Sequence, residues 1–160
     1  IEDVHFLRSV EQMRLLKDAA AGLNRLREGF YLIVVTNQSG VARGYINEER
    51  LYEIHEELAG RLAGEDAALD AIYYCPHLPE AEDKRYRTDC ECRKPLPGMI
   101  QRAADDWNRD LACSYVVGDS ARDVAAGAAL GVPGLLVDGT SGEAHAKDLA
   151  EAARVIRAKG

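Results

Sequence analysis

Three cysteines and a histidine fall within one short stretch of this chain, as Cys75-Pro76-His77 and Cys90-Glu91-Cys92. Three thiolates and an imidazole make a complete tetrahedral zinc set. A single residue separates the ligands within each pair, tighter than finger spacing, so finger patterns do not apply. The segment Cys75–Pro97 is long for a connection and carries Pro76, Pro79, Pro95 and Pro97. It reads as having no apolar residues for a core of its own, and a metal cross-link explains how it could be ordered. Four protein ligands leave no open position, so the zinc expected here is structural rather than catalytic. Such spacing suits a reducing compartment and metal rather than disulfides, which implies a cytoplasmic location. The fourth cysteine, Cys113, stands alone before a strand and reads as a small buried apolar residue.

Around this loop the pattern alternates between strands and helices. Residues 1–16 read as a short extended stretch and a turn. Ala20, Leu23 and Leu26 recur at helical spacing within 17–28, and Gly29 ends the run. Tyr31 to Thr36 (YLIVVT) is continuously apolar and β-branched, as a strand covered on both faces requires. A polar loop follows over 37–45. Asn47 caps a helix reaching about Ala63, with Glu48 and Glu49 in its first turn. Further strands are expected at 71–74, 114–117 and 134–137, and further helices at 98–107, 121–130 and 147–159. The alternation implies one domain over 1–160 with a parallel sheet in a three-layer α/β/α arrangement, Rossmann-like, with the metal loop at 75–92 and no large cap domain. Ligands on such sheets bind beyond the carboxyl ends of the strands, where Thr36, Cys75 and Asp119 fall.

Three strand-end motifs carry chemistry. Thr36 runs into Asn37-Gln38-Ser39-Gly40, where a hydroxyl and loop amides could hold a phosphoryl oxygen; ordinary turn capping explains the same residues. Arg93 and Lys94 follow the last metal ligand. Lys94 could neutralise a transferring phosphoryl group and Arg93 could grip a second phosphate, or the two could be a solvated pair. Asp119 ends a strand and Asp123 lies one helical turn further on. That is a Mg²⁺-type spacing, although Asp123 could equally pair with Arg122 or a helix terminus.

The residues VVTNQSGVARGY (34–45), IYYCPH (72–77), CECRKPLPGM (90–99) and VVGDSARDVAAG (116–127) together resemble the haloacid dehalogenase superfamily. The match is to the branch holding the D-glycero-D-manno-heptose 1,7-bisphosphate phosphatases and the histidinol-phosphate phosphatases, and it covers nearly the whole chain. FLRSVEQMRLL (6–16) is similar to the segment before the first helix in some members. The resemblance implies a Mg²⁺-dependent phosphomonoesterase working through an aspartyl-phosphate. A second aspartate two residues after the nucleophile would serve as general acid and then base. Thr36 would hydrogen-bond the phosphoryl group beside the amides of Asn37 or Gln38. Lys94 would stabilise the transition state, and Arg93 would contact the substrate beyond the reacting phosphate. Asp119 would bind Mg²⁺, with Asp123 supporting it.

Two departures bear on this. The family's Asp-x-Asp lies on the first, central strand, and no Asp-x-Asp follows an apolar strand here; Asp3, Asp18, Asp66 and Asp70 lack that context. The central strand is therefore expected to be missing from residues 1–160. These residues alone are expected to be inactive, with 31–36 and 114–117 separated by a gap or by a strand from elsewhere. IEDVHFLRSV suits that place poorly, being mixed in charge. Ser120 follows Asp119 where many heptose phosphatases carry Lys, which loosens the substrate assignment. The 7-phosphate of a heptose 1,7-bisphosphate is the leading substrate, histidinol phosphate the alternative, and an inactive phospho-ligand scaffold the rival of another class. The net charge of −7 and few aromatics disfavour nucleic acid. No apolar run is long enough for a membrane span, and a monomer is expected.

Overall fold

The computed structural model describes residues 6–137 and 145–159. Four strands and six α-helices are assigned among them: β1 (Ile33–Asn37), β2 (Ala71–Cys75), β3 (Val116–Gly118), β4 (Gly134–Leu136), α1 (Ala19–Arg27), α2 (Ser39–Ala42), α3 (Glu48–Ala63), α4 (Gly98–Trp107), α5 (Ala121–Ala128) and α6 (Leu149–Lys159). The expected helices and strands are all present, with ends displaced by a few residues. Helix α1 starts late because Asp18 takes a left-handed conformation (φ 63°) and turns the chain just before it. Asn47 caps α3 as expected, its side chain accepting from Arg50 N at 2.8 Å.

The strands pair in parallel, but as two separate pairs rather than one sheet. Strand β1 lies beside β2 in a register running from Ile33↔Ala71 to Asn37↔Cys75, and β3 lies beside β4 from Val116↔Gly134 to Gly118↔Leu136. Among the described residues β1 and β3 do not pair with each other or share a neighbouring strand. This matches the gap expected between them. Residues 1–5, part of the segment weighed for that place, lie outside the described residues.

The direction of the peptide groups shows which edges are open. Leu32 O accepts from Asp70 N, and Gln38 N donates to Cys75 O, so the even-numbered residues of β1 bond towards β2. Parallel ladders alternate, which turns the peptide groups of Ile33, Val35 and Asn37 away from it. On the other pair, Val116 N donates to Pro133 O and Gly118 O accepts from Val137 N, leaving Val117 turned away from β4.

Both halves share one core. Leu26 of α1, Leu32 ahead of β1, Leu135 of β4 and Ile156 of α6 are buried together, with Tyr115 and Val117 packed against them. Helices α1 and α6 approach closely at Gly22, where a Cβ would lie 2.9 Å from the Leu149 carbonyl carbon. The N-terminal segment is strapped to α3. Met13 is 1% exposed, and Arg61 donates to Met13 O at 2.5 Å and Val10 O at 3.1 Å.

Three local expectations need correction. Cys113 is exposed, not buried, because residues 111–113 form a 3₁₀ turn at the surface. The loop after Cys75 does have apolar packing: Leu78 and Ala81 are buried against Ala42 of α2, with Tyr86 alongside. Residues 39–42, expected as loop, form the short helix α2, with Val41 and Ala42 inside.

Candidate functional site

The metal cluster is assembled at the end of β2. The ligand atoms of Cys75, His77, Cys90 and Cys92 all lie within 4.8 Å of one another. Sγ of Cys92 is 2.8 Å from that of Cys75 and 3.3 Å from that of Cys90, and His77 Nδ1 is 3.3 Å from Cys92 Sγ. The edges of a tetrahedral zinc–thiolate site are about 3.7 Å, given Zn–S bonds of about 2.3 Å. The four atoms therefore need only small outward shifts to take such an ion. Burial pushes the Cys75 and Cys92 thiols above their ordinary range.

A polar knot missed in the sequence holds this loop from the other side. Glu48, the first residue of α3, accepts from Tyr74 Oη at 2.6 Å and Tyr86 Oη at 2.8 Å. Those hydrogen bonds lower the Glu48 pKa, and the bond to Glu48 together with burial raises the Tyr74 hydroxyl to about 12. Nothing in the spacing of residues 48, 74 and 86 announces this meeting.

Immediately after the cluster the chain is held rigid. Gly98 N donates to Glu91 O at 2.9 Å, and a Cβ at Gly98 would lie 2.5 Å from that oxygen. Arg93 donates to His77 O at 3.2 Å, so it is not a free solvated cation. Lys94 is gripped at its backbone by the Asn37 side chain. Its N–H donates to Asn37 Oδ1 and its carbonyl accepts from Asn37 Nδ2, both at 3.0 Å. The lysine head then reaches between the two strand pairs. It donates to Val35 O at 2.6 Å, on the open edge of β1, and pairs with Asp123 Oδ1 at 2.8 Å. Lys94 and Asp123 are both nearly enclosed, their side chains 12% exposed.

Asp123 is seated against the end of β3. It also accepts from Ser120 N at 3.1 Å, and a Cβ at Gly118 would collide with it. Of the two alternatives open for Asp123 in the sequence, its carboxylate serves the helix terminus, and it has Lys94 rather than Arg122 as its ion-pair partner. Asp119 stands exposed at the strand end. On the β1 side, the Gln38 amide is taken by Cys75 O at 2.8 Å. That leaves the Asn37 amide, turned to the open edge, as the loop donor beside Thr36. The Thr36 hydroxyl accepts from Gln38 Nε2 at 3.1 Å and keeps its own proton to donate.

Thus Thr36, Asn37, Lys94 and Asp123 come together at the carboxyl ends of two open strand edges, with Asp119 at the end of β3. Comparison with known proteins shows the family. A profile of the HAD-hydrolase-like family matches residues 91–158. The D-glycero-β-D-manno-heptose-1,7-bisphosphate 7-phosphatase of Rhodopseudomonas palustris is 40% identical over 136 residues, covering 84% of this chain and 76% of that protein. The chain belongs to the haloacid dehalogenase-like hydrolases. The enzyme of the same name from Yersinia pestis is 38% identical over 131 residues, covering 81% of this chain and 70% of its own length. Among solved structures, the D,D-heptose 1,7-bisphosphate phosphatase of B. bronchiseptica, complexed with magnesium and phosphate, superposes with a TM-score of 0.83 at 32% identity, covering 100% of this chain and 93% of that one. Among the described residues no helix is long and apolar enough to cross a membrane.

Proposed function

We propose that this protein is a phosphomonoesterase that removes the 7-phosphate of a heptose 1,7-bisphosphate. The observation that carries this reading is the position of Lys94. Its ammonium sits between the open edges of β1 and β3, held by Val35 O and Asp123 while Asn37 grips its backbone, at the strand ends where such sheets bind ligands. A buried cation there is placed to stabilise charge on a transferring phosphoryl group.

In this reading the space between β1 and β3 belongs to a fifth, central strand. Its peptide groups would pair with Val35 on one side and Val117 on the other. Its carboxyl end would carry two aspartates beside Lys94. The first attacks phosphorus, the sugar oxygen leaves and takes a proton from the second, and water then cleaves the aspartyl-phosphate. Thr36 Oγ1 and the Asn37 amide hold phosphoryl oxygens. Arg93, with one N–H on His77 O, presents its remaining donors to the sugar beyond the reacting phosphate. Asp119 suits a Mg²⁺ ion, because an exposed carboxylate at a strand end is the ligand such ions take with water and phosphate oxygens. Bound there, Mg²⁺ would lower the charge of the phosphate. Cys75, His77, Cys90 and Cys92 suit a structural zinc that keeps Arg93 and Lys94 in register. The reading further includes a cytoplasmic monomer.

The test is phosphate release by the natural full-length protein from heptose 1,7-bisphosphate and from histidinol phosphate, with ³¹P NMR showing which phosphate is lost. Loss of the 7-phosphate with a higher kcat/KM for the heptose supports the reading. A preference for histidinol phosphate, or no hydrolysis of either, defeats it.

A further inference from the structure

The backbone of Lys94 is held by one side chain, and that side chain comes from the strand that carries Thr36. Asn37 Oδ1 accepts from Lys94 N and Asn37 Nδ2 donates to Lys94 O, both at 3.0 Å. A primary amide offers an acceptor and a donor side by side, so one asparagine can take both polar groups of a single residue. The residue that follows, Pro95, has no N–H to continue such pairing. The next bond along the chain, Leu96 N to Arg93 O at 2.9 Å, only closes a local turn.

The head of the same lysine returns to the same strand, donating to Val35 O at 2.6 Å. Val35 and Asn37 flank Thr36, so both ends of Lys94 are referred to the residue whose hydroxyl is free to donate to phosphate. The metal loop cannot fix the lysine to that degree by itself. Arg93 stands between Cys92 and Lys94, and at two soft backbone dihedrals per residue about four separate the last metal ligand from the lysine. The loop brings Lys94 to β1, and Asn37 settles where along β1 it stands.

We propose that the side chain of Asn37 is a positioning residue: it fixes the Lys94 backbone against β1 so that the ammonium meets the phosphoryl group held by Thr36. The proposal rests on the phosphatase reading and deepens it. In that reading the central strand claims Val35 O, and the ammonium gives up that contact for phosphoryl oxygens. The two bonds from Asn37 reach only the backbone of Lys94, so they persist while the side chain turns about a fixed point. The Asn37 backbone amide keeps its separate role as a phosphoryl donor, and its side chain does not touch the substrate.

The test is a double-mutant cycle in the full-length protein. The kcat and KM for heptose 1,7-bisphosphate are measured for the wild type, Asn37→Ala, Lys94→Ala and the double variant, with melting curves as a folding control. Asn37→Ala should lower kcat about ten- to a hundredfold with little change in KM, the usual effect of a displaced catalytic group. In the Lys94→Ala background it should lower kcat no further, because the group it positions is gone. Asn37→Asp is isosteric and loses only the donor to Lys94 O, and it takes the place of Asn37→Ala in the cycle if the alanine variant does not fold. Equal factors in both backgrounds, an unchanged kcat, or a change in KM alone would overturn the proposal. If the wild type does not hydrolyse the sugar, the phosphatase reading fails on its own, and acetic anhydride labelling read by mass spectrometry decides the positioning role. Lys94, whose side chain is 12% exposed, should be modified faster in the Asn37 variant than in the wild type, while the exposed Lys17, Lys84 and Lys147 keep their rates. An unchanged rate at Lys94, or a rise at all four lysines, overturns it.

Discussion

Lys94 Nζ and Asp123 Oδ1 lie 2.8 Å apart in the space between two parallel strand pairs, and each side chain is 12% exposed. The lysine arrives from the metal loop and the aspartate from the helix after β3. Their pairing is a polar bridge between halves that share no strand among the described residues. Breaking a buried pair by removing one partner leaves an uncompensated charge and costs about 3–5 kcal/mol. Asp123→Ala should therefore lower stability by roughly that much, since it also removes the acceptor of Ser120 N. Lys94→Met should cost a similar amount, because it leaves the Asp123 carboxylate without its cation. Denaturant unfolding of both variants checks this, and a negligible loss in either would contradict the reading of the pair.

Lys94→Ala in the full-length enzyme should lower kcat by about 10²–10³, the usual cost of a donor aimed at developing charge. Steady-state kinetics that showed a change in KM alone would remove Lys94 from the transition state.

Gly118→Ala should mimic loss of the pair without replacing either partner. The added methyl would occupy the place of the Asp123 side chain. Overpacking of this kind costs about 1–3 kcal/mol, and a displaced Asp123 frees Lys94. Activity should fall further than that of Gly131→Ala, where strain from a φ of +73° arises with open space around it. Kinetics and melting curves of the two variants separate the effects.

Purified protein should contain one zinc per chain. A strong chelator should lower the melting temperature and expose the amides of the 75–98 segment to hydrogen exchange, while α1 and α6 stay protected. The loop also has Leu78, Ala81 and Tyr86 packed on Ala42, so it should loosen rather than unfold. Absence of zinc by elemental analysis, with all the cluster thiols titrating freely, would contradict the assignment.

The Glu48 knot predicts an alkaline limit. The Tyr74 hydroxyl, ordinarily near 10, is raised to about 12 by its bond to Glu48 and by burial. Its neutral form is favoured by folding, so this stabilisation is complete below pH 10 and disappears as pH rises through 12. Stability should drop across that window, and Tyr74→Phe should flatten the drop. Chemical denaturation at pH 9 and pH 11 measures it. A wild-type loss that the variant reproduces would rule the knot out as its cause.

Much of this protein is written locally. Continuous apolar runs made β1 and β2 strands, though half-buried rather than covered on both faces, Asn47 capped α3, and four ligand-type side chains near one another in sequence were close in space as well. These features depend on a few neighbouring residues, so sequence alone determines them. The motif VTNQSG and the pair Arg93-Lys94 were legible for the same reason, as was the absence of an apolar strand ending in Asp-x-Asp. What each does was decided by contacts between distant segments. Asn37 grips the Lys94 backbone across 57 positions, and Asp123 takes Lys94 rather than Arg122. Glu48 collects two tyrosine hydroxyls from β2 and the loop, and Arg8 stacks on Tyr45 while Arg43 lies over Phe6, because the strap crosses the turn after α2. Cys113 looked buried because a cysteine beside a strand usually is, but the 3₁₀ turn at 111–113 puts it outside. A hydrogen bond or ion pair needs its partners within about 3 Å, and no periodicity in a sequence encodes which of many polar groups the folded chain will bring that close.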